Sequence, residues 1–317
     1  MKTIFIVNPS AKNHHSLSSW EKFRKSITFP HSLYITDHPD DVRRIAGELV
    51  RTNPGETFYM IGVGGDGTMN SIISGTAGFE NIFIGYIPGG SGNDFARGYR
   101  WPSGKQEAYD LIKETIHTAL PISLDAGLFS IEGGPNHYFV NNIGVGFDAL
   151  IARKANESRL KRKLNRWSLG KLVYPLILCR EALTFTPFQA VMEVDGVEHT
   201  LEKVWFITVS NQPYFGGGMK IAPKARPDDG VLDLTIVSGL SKWKLMFLFI
   251  SVFFGKHTEL KEVHTLIGRS IKIKSRKGIP VHADGDYAGV IDEGRELHAE
   301  VTPGMWKMLN RSRWEKC

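Results

Sequence analysis

Two glycine-rich turns, each following an apolar run and each carrying an aspartate, restrict what this 317-residue chain can fold into more than any other feature. The first is Val63-Gly64-Gly65-Asp66-Gly67-Thr68-Met69-Asn70. It follows Phe58-Tyr59-Met60-Ile61, which reads as a buried strand, and precedes Ile72-Ile73, the start of a helical apolar face. A glycine turn between strand and helix presents backbone N–H groups at a helix N-terminus, where anionic oxygens bind readily. Glycine allows an approach of backbone to ligand that a Cβ would block. Asp66 would repel phosphate unless a metal ion lay between them, so the loop reads as a metal–nucleotide site. It is neither a Walker loop nor a Gly-x-Gly-x-x-Gly fingerprint. A tight structural turn is the plain alternative.

The second turn supplies what the first lacks. Ile82-Phe83-Ile84-Gly85-Tyr86-Ile87 reads as another strand, and Pro88-Gly89-Gly90-Ser91-Gly92-Asn93-Asp94-Phe95-Ala96-Arg97 follows it. Two such loops at the carboxyl ends of neighbouring strands would sit where open α/β sheets bind ligands. With both in view the chain resembles the diacylglycerol kinase catalytic family, which includes bacterial soluble lipid kinases, sphingosine kinases and ceramide kinases. The resemblance continues through Asn141-Asn142-Ile143-Gly144-Val145-Gly146-Phe147-Asp148-Ala149 and through Asn211 to Gly216-Gly217-Gly218. It extends over Ile221-Ala222-Pro223-Lys224-Ala225 and Asp228-Asp229-Gly230-Val231-Leu232-Asp233 to His282-Ala283-Asp284-Gly285-Asp286, where the family usually has Asp-Gly-Glu.

The chain suits two domains better than one. Residues 1–125 alternate strand-like and helix-like stretches, which argues an α/β domain with a parallel-type sheet. Its strands would be Ile4–Val7, Ser32–Ile35, Phe58–Val63 and Ile82–Ile87. Helices would fall near Ser18–Ser26, Pro39–Arg51, Asn70–Gly75 and Lys105–Thr115. From Ile122 onward, short alternating runs suggest an antiparallel β-rich, sandwich-like domain: Leu128–Ile131, Tyr138–Asn141, Ala190–Val194, Val204–Ser210, Leu232–Val237, Ser270–Lys274 and Leu297–Val301. Val194-Asp195-Gly196-Val197 reads as a hairpin turn. The expected division is 1–122 with a return at 303–317 for the α/β domain, and 123–302 for the β-rich domain. The resemblance implies this return, and an active site in the cleft between the domains.

A hydrophobic content of 42% and mixed charge indicate a folded protein, and a net charge of +6 permits an anionic partner without pointing to nucleic acid. Cys179 and Cys317 make no disulfide framework, and no Cys/His spacing suggests zinc. The run Ile4-Phe5-Ile6-Val7 is too short for a signal-peptide core, so a cytoplasmic location is expected. Two further stretches stand out. Arg153 to Lys171 carries eight Lys/Arg and one acid, Glu157; Trp243 to Phe254 contains the run Leu245-Met246-Phe247-Leu248-Phe249-Ile250, flanked by Lys242, Lys244, Lys256 and His257. They read either as one solvated basic helix and one buried helix, or as a basic, aromatic surface resting on anionic lipid at the inner membrane face.

The resemblance implies an ATP- and Mg2+-dependent kinase that phosphorylates a lipid hydroxyl, with diacylglycerol converted to phosphatidic acid. Asn8, Pro9 and Ser10, Thr36, Gly64, Gly65, Asp66, Gly67, Thr68, Asn70, Gly90, Ser91, Asn93 and Asp94 would contact the nucleotide. In the Asn8–Lys12 turn, Lys12 or Asn13 falls where the family has glycine. Asp66 and Asp94 would hold Mg2+, directly or through water, as hard carboxylate ligands; Asp94 alone would read as a helix N-cap for Phe95–Gly98. The resemblance places the general base at Asp286, one methylene shorter than the family glutamate, with Asp284 as the fallback and Asp66 as a further candidate. It also implies a structural Mg2+ held by the Asp229 carboxylate and the carbonyls of Arg226 and Val231, with Asp228 joining through water. An NAD kinase, whose family shares a Gly-Gly-Asp-Gly loop, and a nucleotide- or lipid-binding regulator on the same fold are the competing readings. The partners expected are a lipid at a membrane surface and no nucleic acid; the oligomeric state is left open.

Overall fold

The computed structural model describes residues 1–9, 20–21, 23–90, 92–118, 121–157 and 173–310. The chain divides into two units, Met1–Ala126 with Pro227–Gly230 and Thr302–Cys317, and Gly127–Arg226 with Val231–Val301. The calls on Ser10, Lys12, Asn13, Ser91 and the segment 158–172 lie outside the described residues, as do Ser18, Ser19 and Lys22 of the stretch Ser18–Ser26.

In the first unit four parallel strands, β1 (Lys2–Val7), β2 (Ser32–Ile35), β3 (Phe58–Gly64) and β4 (Ile82–Pro88), lie in the order β4-β3-β1-β2. β3 is buried along its whole length, as the continuous apolar runs of a parallel sheet require. The final residues of the chain's last strand extend this sheet, with Lys307 and Met308 parallel to Phe83 and Ile84. Helices α1 (Pro39–Thr52), α2 (Asp66–Gly75), α3 (Asp94–Gly98) and α4 (Lys105–Thr118) accompany the strands. His38 opens α1 with a capping box: its ring accepts from the Asp40 N–H, and the Asp41 carboxylate accepts from the His38 N–H.

Helix α2 begins at Asp66, four residues before the sequence-based estimate of Asn70. A glycine at the second helical position is tolerated there because first-turn N–H groups lack intrahelical partners in any case, and an acid in the first turn complements the helix dipole.

The second unit is antiparallel. β5 (Ile122–Ile131) is followed by β6 (His137–Phe139), β7 (Asn142–Gly146), α5 (Phe147–Glu157), α6 (Val173–Thr184), β8 (Phe188–Val194), β9 (Val197–Ser210), β10 (Leu232–Ser238), α7 (Lys242–Phe253), β11 (Val263–Gly268), β12 (Ser270–Ser275), β13 (Ile279–Ala283), β14 (Asp286–Ile291) and β15 (Glu296–Met308). β9 organises the layers. Its first half pairs with β8, which continues to β12 and β15, and its second half lies between β7 and β10. Val204 is the changeover, facing Phe188 on one side and Ser238 on the other. Alternate residues of both halves, including Met192, Ile207, Leu234, Ile273 and Val281, fill one apolar core. The chain therefore has an α/β domain with parallel strands and an antiparallel β sandwich-like domain. Among the described residues no helix is long and apolar enough to cross a membrane.

Two sequence expectations change here. The motif from Asn141 to Gly146 contributes the fully buried strand β7, with the preceding strand ending at Phe139. Pro227–Gly230 joins the first unit, because Asp125 draws it in: the Asp125 N–H donates to the Pro227 carbonyl at 2.7 Å, and the Gly230 N–H donates to Asp125 Oδ2 at 2.8 Å.

Candidate active site

The two glycine loops lie side by side because β3 and β4 are neighbours ending in register, Gly64 opposite Pro88. The Gly89 N–H donates to the Gly64 carbonyl at 2.6 Å. A Cβ on Gly90 would stand 2.7 Å from the Gly65 Cα, so this approach of one backbone to the other requires glycine. Asp66 then ties the loops together. Its Oδ2 accepts from the Asp94 N–H at 3.0 Å and its Oδ1 from the Phe95 N–H at 3.3 Å. These amides open α3, so Asp66 caps that helix from the start of α2. Asn93, in the left-handed region at φ 54°, holds the N-cap position, and Asp94 is the first helical residue.

Asp94 is buried and accepts from Arg97 Nη1 at 2.8 Å; the same guanidinium reaches the Gly92 carbonyl. Beneath the loops the Tyr86 hydroxyl donates to the Gly64 carbonyl at 3.2 Å and lies 3.4 Å from Asn93 Oδ1. Burial, and after it the charges of Asp66 and Asp94, push the Tyr86 phenol well above its ordinary pKa, so it stays a donor. Asn8 and Thr36 stand at the ends of β1 and β2, both buried. Asn8 Nδ2 donates to Thr68 Oγ1 at 3.3 Å, and Thr36 Oγ1 donates to the Val7 carbonyl at 3.2 Å. Asn70 accepts from the Ser74 hydroxyl at 3.2 Å, one turn along α2. Gly67 has open space on its Cβ side.

In the second unit the hairpin turn between β13 and β14 is Asp284-Gly285, with φ 49° and 90°. Asp284 does not stand in open solvent. Its carboxylate accepts from the N–H groups of Val140 at 2.9 Å, Asn141 at 2.8 Å and Asn142 at 3.0 Å. The turn is held from below as well. The Gly285 N–H donates to His282 Nδ1 at 3.4 Å, which leaves the ring proton on Nε2, 3.4 Å from the buried Asp148 Oδ2. Asn156 of α5 donates to the Gly285 carbonyl at 2.9 Å, and the Arg153 guanidinium stacks 4.8 Å above the Tyr287 ring. Asp286, the first residue of β14, is exposed. Gly144 makes room for the buried pair: a Cβ there would meet Asp148 Oδ2 at 2.0 Å and His282 Nε2 at 2.3 Å.

The loop 226–231 is positioned by Asp125, which no motif flags. Besides its bonds to Pro227 and Gly230, its Oδ1 accepts from the Gly304 N–H at 2.8 Å and its carbonyl from Trp306 Nε1 at 3.1 Å. Burial raises the Asp125 pKa, the two amide bonds oppose that, and the Asp228 charge adds to it. The trace in the sequence is one acid between the apolar Leu124 and Ala126 of β5. His282 and Asp148 likewise carry no spacing signature, because they meet only through the fold.

Cofactor fit follows from the donor set. The paired glycine backbones and the start of α2 suit a phosphate chain. Asp66 and Asp94 offer hard oxygens, yet among the described residues no group of three or more His, Cys, Asp or Glu side chains could hold a metal ion. Such a site suits Mg2+ that arrives on the nucleotide and keeps phosphate and water ligands.

Comparison with known proteins defines the class. Residues 2–123 match the diacylglycerol kinase catalytic domain, and residues 141–310 match the YegS C-terminal NAD kinase beta sandwich-like domain. The chain is 32% identical to the Bacillus subtilis protein named "Putative lipid kinase YtlR", over 90% of this chain and 93% of that one. It is 31% identical to a protein of Mycobacterium tuberculosis named diacylglycerol kinase, over 71% and 69% respectively. A crystal structure of a diacylglycerol kinase from Bacillus anthracis shares the fold with a TM-score of 0.68 at 21% identity, covering 98% of this chain and 97% of that one. Yeast NADH kinase is a more distant fold relative, with a TM-score of 0.54 at 12% identity, covering 98% and 84%. The chain belongs to the diacylglycerol kinase catalytic family. It is a lipid kinase, and membership of a kinase family implies ATP as phosphoryl donor.

Proposed function

We propose that this lipid kinase uses ATP and Mg2+ to phosphorylate the hydroxyl of diacylglycerol, giving phosphatidic acid, while resting on the cytoplasmic face of a membrane. The observation that carries the reading is the joining of the two glycine loops through Asp66, in a chain over 30% identical to proteins named as lipid kinases. Phosphoryl transfer asks the protein mainly for positioning and charge stabilisation. The loop backbones from Gly64 to Asn70 and from Gly90 to Asp94 would hold the phosphates, with Asn8, Pro9 and Thr36 beside them. Asp66 and Asp94 would hold Mg2+ through its water shell, since the Asp66 oxygens already receive two amides. When bound, the ion offsets charge on the phosphates.

An alcohol attacks poorly unless a base takes its proton as the new bond forms. Asp286 is assigned that role: it is exposed, on a turn anchored from several directions. Asp284, with its carboxylate on three amides, is assigned a positioning role. A second, structural Mg2+ would sit on the Asp229 carboxylate and the Arg226 and Val231 carbonyls, in the loop that Asp125 anchors. A nucleotide- or lipid-binding regulator is favoured by one feature, aspartate in place of the family glutamate at 286.

Incubation with γ-labelled ATP and diacylglycerol, phosphatidylglycerol, a ceramide or NAD, followed by chromatography of the products, tests the assignment. Labelled phosphatidic acid that disappears with EDTA is expected. Label on another lipid would change the acceptor, label on NAD would select the NAD kinase reading, and no label on any of them would leave the regulator.

A further inference from the structure

We propose that the outer face of helix α7 is the element by which this protein enters an anionic lipid surface, a role that rests on the lipid kinase reading above. The helix is two-faced. Leu245, Leu248, Phe249 and Val252 are buried against Phe147, Trp205 and Phe206. The opposite face carries Trp243, Phe247, Ile250 and, at the C-cap, Phe254, which are 77%, 72%, 62% and 73% exposed. At about 100° per residue these four fall within roughly 60° of arc, a single stripe about 16 Å long. Phe253 beside them and Leu183 of α6 are also exposed. The Lys242 ammonium bonds to the Leu183 carbonyl, which brings Leu183 to the start of the stripe.

Exposed large apolar residues are normally scattered singly. Here five occur within twelve consecutive residues, so solvent is a poor partner for this face. The helix is too short to span a bilayer, but an apolar stripe with tryptophan at one end suits a helix lying in the interfacial plane. Charge selects lipid over an apolar protein groove. Between Lys242 and Glu262 four lysines, Lys242, Lys244, Lys256 and Lys261, outnumber the two acids, Glu259 and Glu262. Lys244 and Glu262 pair at 2.7 Å and offset each other, which leaves three lysines against Glu259. The buried imidazole of His257 bonds to the Ile221 carbonyl at 2.9 Å and adds no surface charge, because burial lowers its pKa. A surface that must draw a long-chain alcohol from a membrane needs such a contact.

The test measures partitioning and catalysis separately. Sedimentation with vesicles of phosphatidylcholine, with and without phosphatidylglycerol, is performed on the full chain without ATP. The double substitution Phe247→Gln/Ile250→Gln should lower partitioning about 10²- to 10⁴-fold, given the burial free energy of two such side chains. Its activity on a water-soluble short-chain diacylglycerol should match wild type. Vesicles with brominated acyl chains should quench wild type more than Trp243→Phe, even though seven tryptophans contribute to the signal. Equal partitioning of wild type and double variant, or equal fractional quenching of wild type and Trp243→Phe, overturns the proposal. A wild-type dimer that the double substitution makes monomeric also overturns it, with a second copy as the occupant. Vesicle binding that depends on the stripe, without lipid phosphorylation, would keep the surface and sink the kinase assignment alone.

Discussion

The β-rich unit contains the same device twice. Asp195-Gly196 joins β8 to β9 and Asp284-Gly285 joins β13 to β14, and both turns have the aspartate near φ 49° and the glycine near φ 84–90°. In both, the aspartate carboxylate reaches sideways to cap backbone amides of another segment. Asp195 takes the N–H groups of Arg269 and Ser270, and Asp284 those of Val140, Asn141 and Asn142. What differs is the next residue and the support. Val197 follows the first turn and Asp286 the second, both exposed. The second turn is also braced by His282 and Asn156. The position after such a turn thus tolerates a residue chosen for reasons other than folding, whereas the turn aspartate is part of the hairpin. That comparison supports the proposed division, in which Asp284 holds the turn and Asp286 acts as the base.

The largest difference should appear when the residues after the turns are changed. Asp286→Asn is expected to lower kcat by about 10²- to 10⁴-fold, the scale of general-base catalysis, with the melting temperature nearly unchanged. Asp286→Glu should retain substantial activity. A kcat for Asp286→Asn close to wild type, beside a dead Asp284→Asn, would reverse the two assignments.

Next comes the turn aspartate itself. Asp284→Asn removes charge from a carboxylate that satisfies three amides and should cost roughly 1–3 kcal/mol of stability, read by urea titration. Its kcat should fall less than that of Asp286→Asn, through misplacement of the turn. Gly285→Ala and Gly196→Ala should each cost about 1 kcal/mol, since both require positive φ, but only the first should lower kcat. Equal kcat for the two alanine variants would remove the functional distinction between the hairpins. The smallest effect belongs to Asp195→Asn, whose exposed bonds should shift the melting temperature by no more than about 2 °C and leave kcat alone. A larger shift there would make Asp195 the more important cap.

The first hairpin was legible from Val194-Asp195-Gly196-Val197, because alternating runs on both sides frame the turn. The strand that pairs with the second hairpin, β7, is harder to read. β7 contains Gly144 and Gly146, which lower its strand signal, and Gly144 is there for the bulk of His282 and Asp148, residues more than 130 positions apart. The two glycine loops and the alternation around them could be read directly, since local chemistry fixes them. The bond between Asp66 and α3 could not, because the register of β3 against β4 creates it. Helix α7 shows the same limit: an unbroken apolar run has no polar face to mark which side meets solvent, so the exposure of Trp243 and Phe247 came only with the fold.

The Asp66 bonds have a consequence on the time axis. A backbone amide exchanges its hydrogen only when its bond opens. The amides of Asp94 and Phe95 are closed by a side chain from the other loop, 28 and 29 residues earlier. Their exchange therefore reports the opening of both loops at once, and they should lose protection together in Asp66→Ala while the amides of β3 and β4 keep theirs. The two loops would then breathe as one unit, and a phosphate chain that settles in either would slow the clock of both.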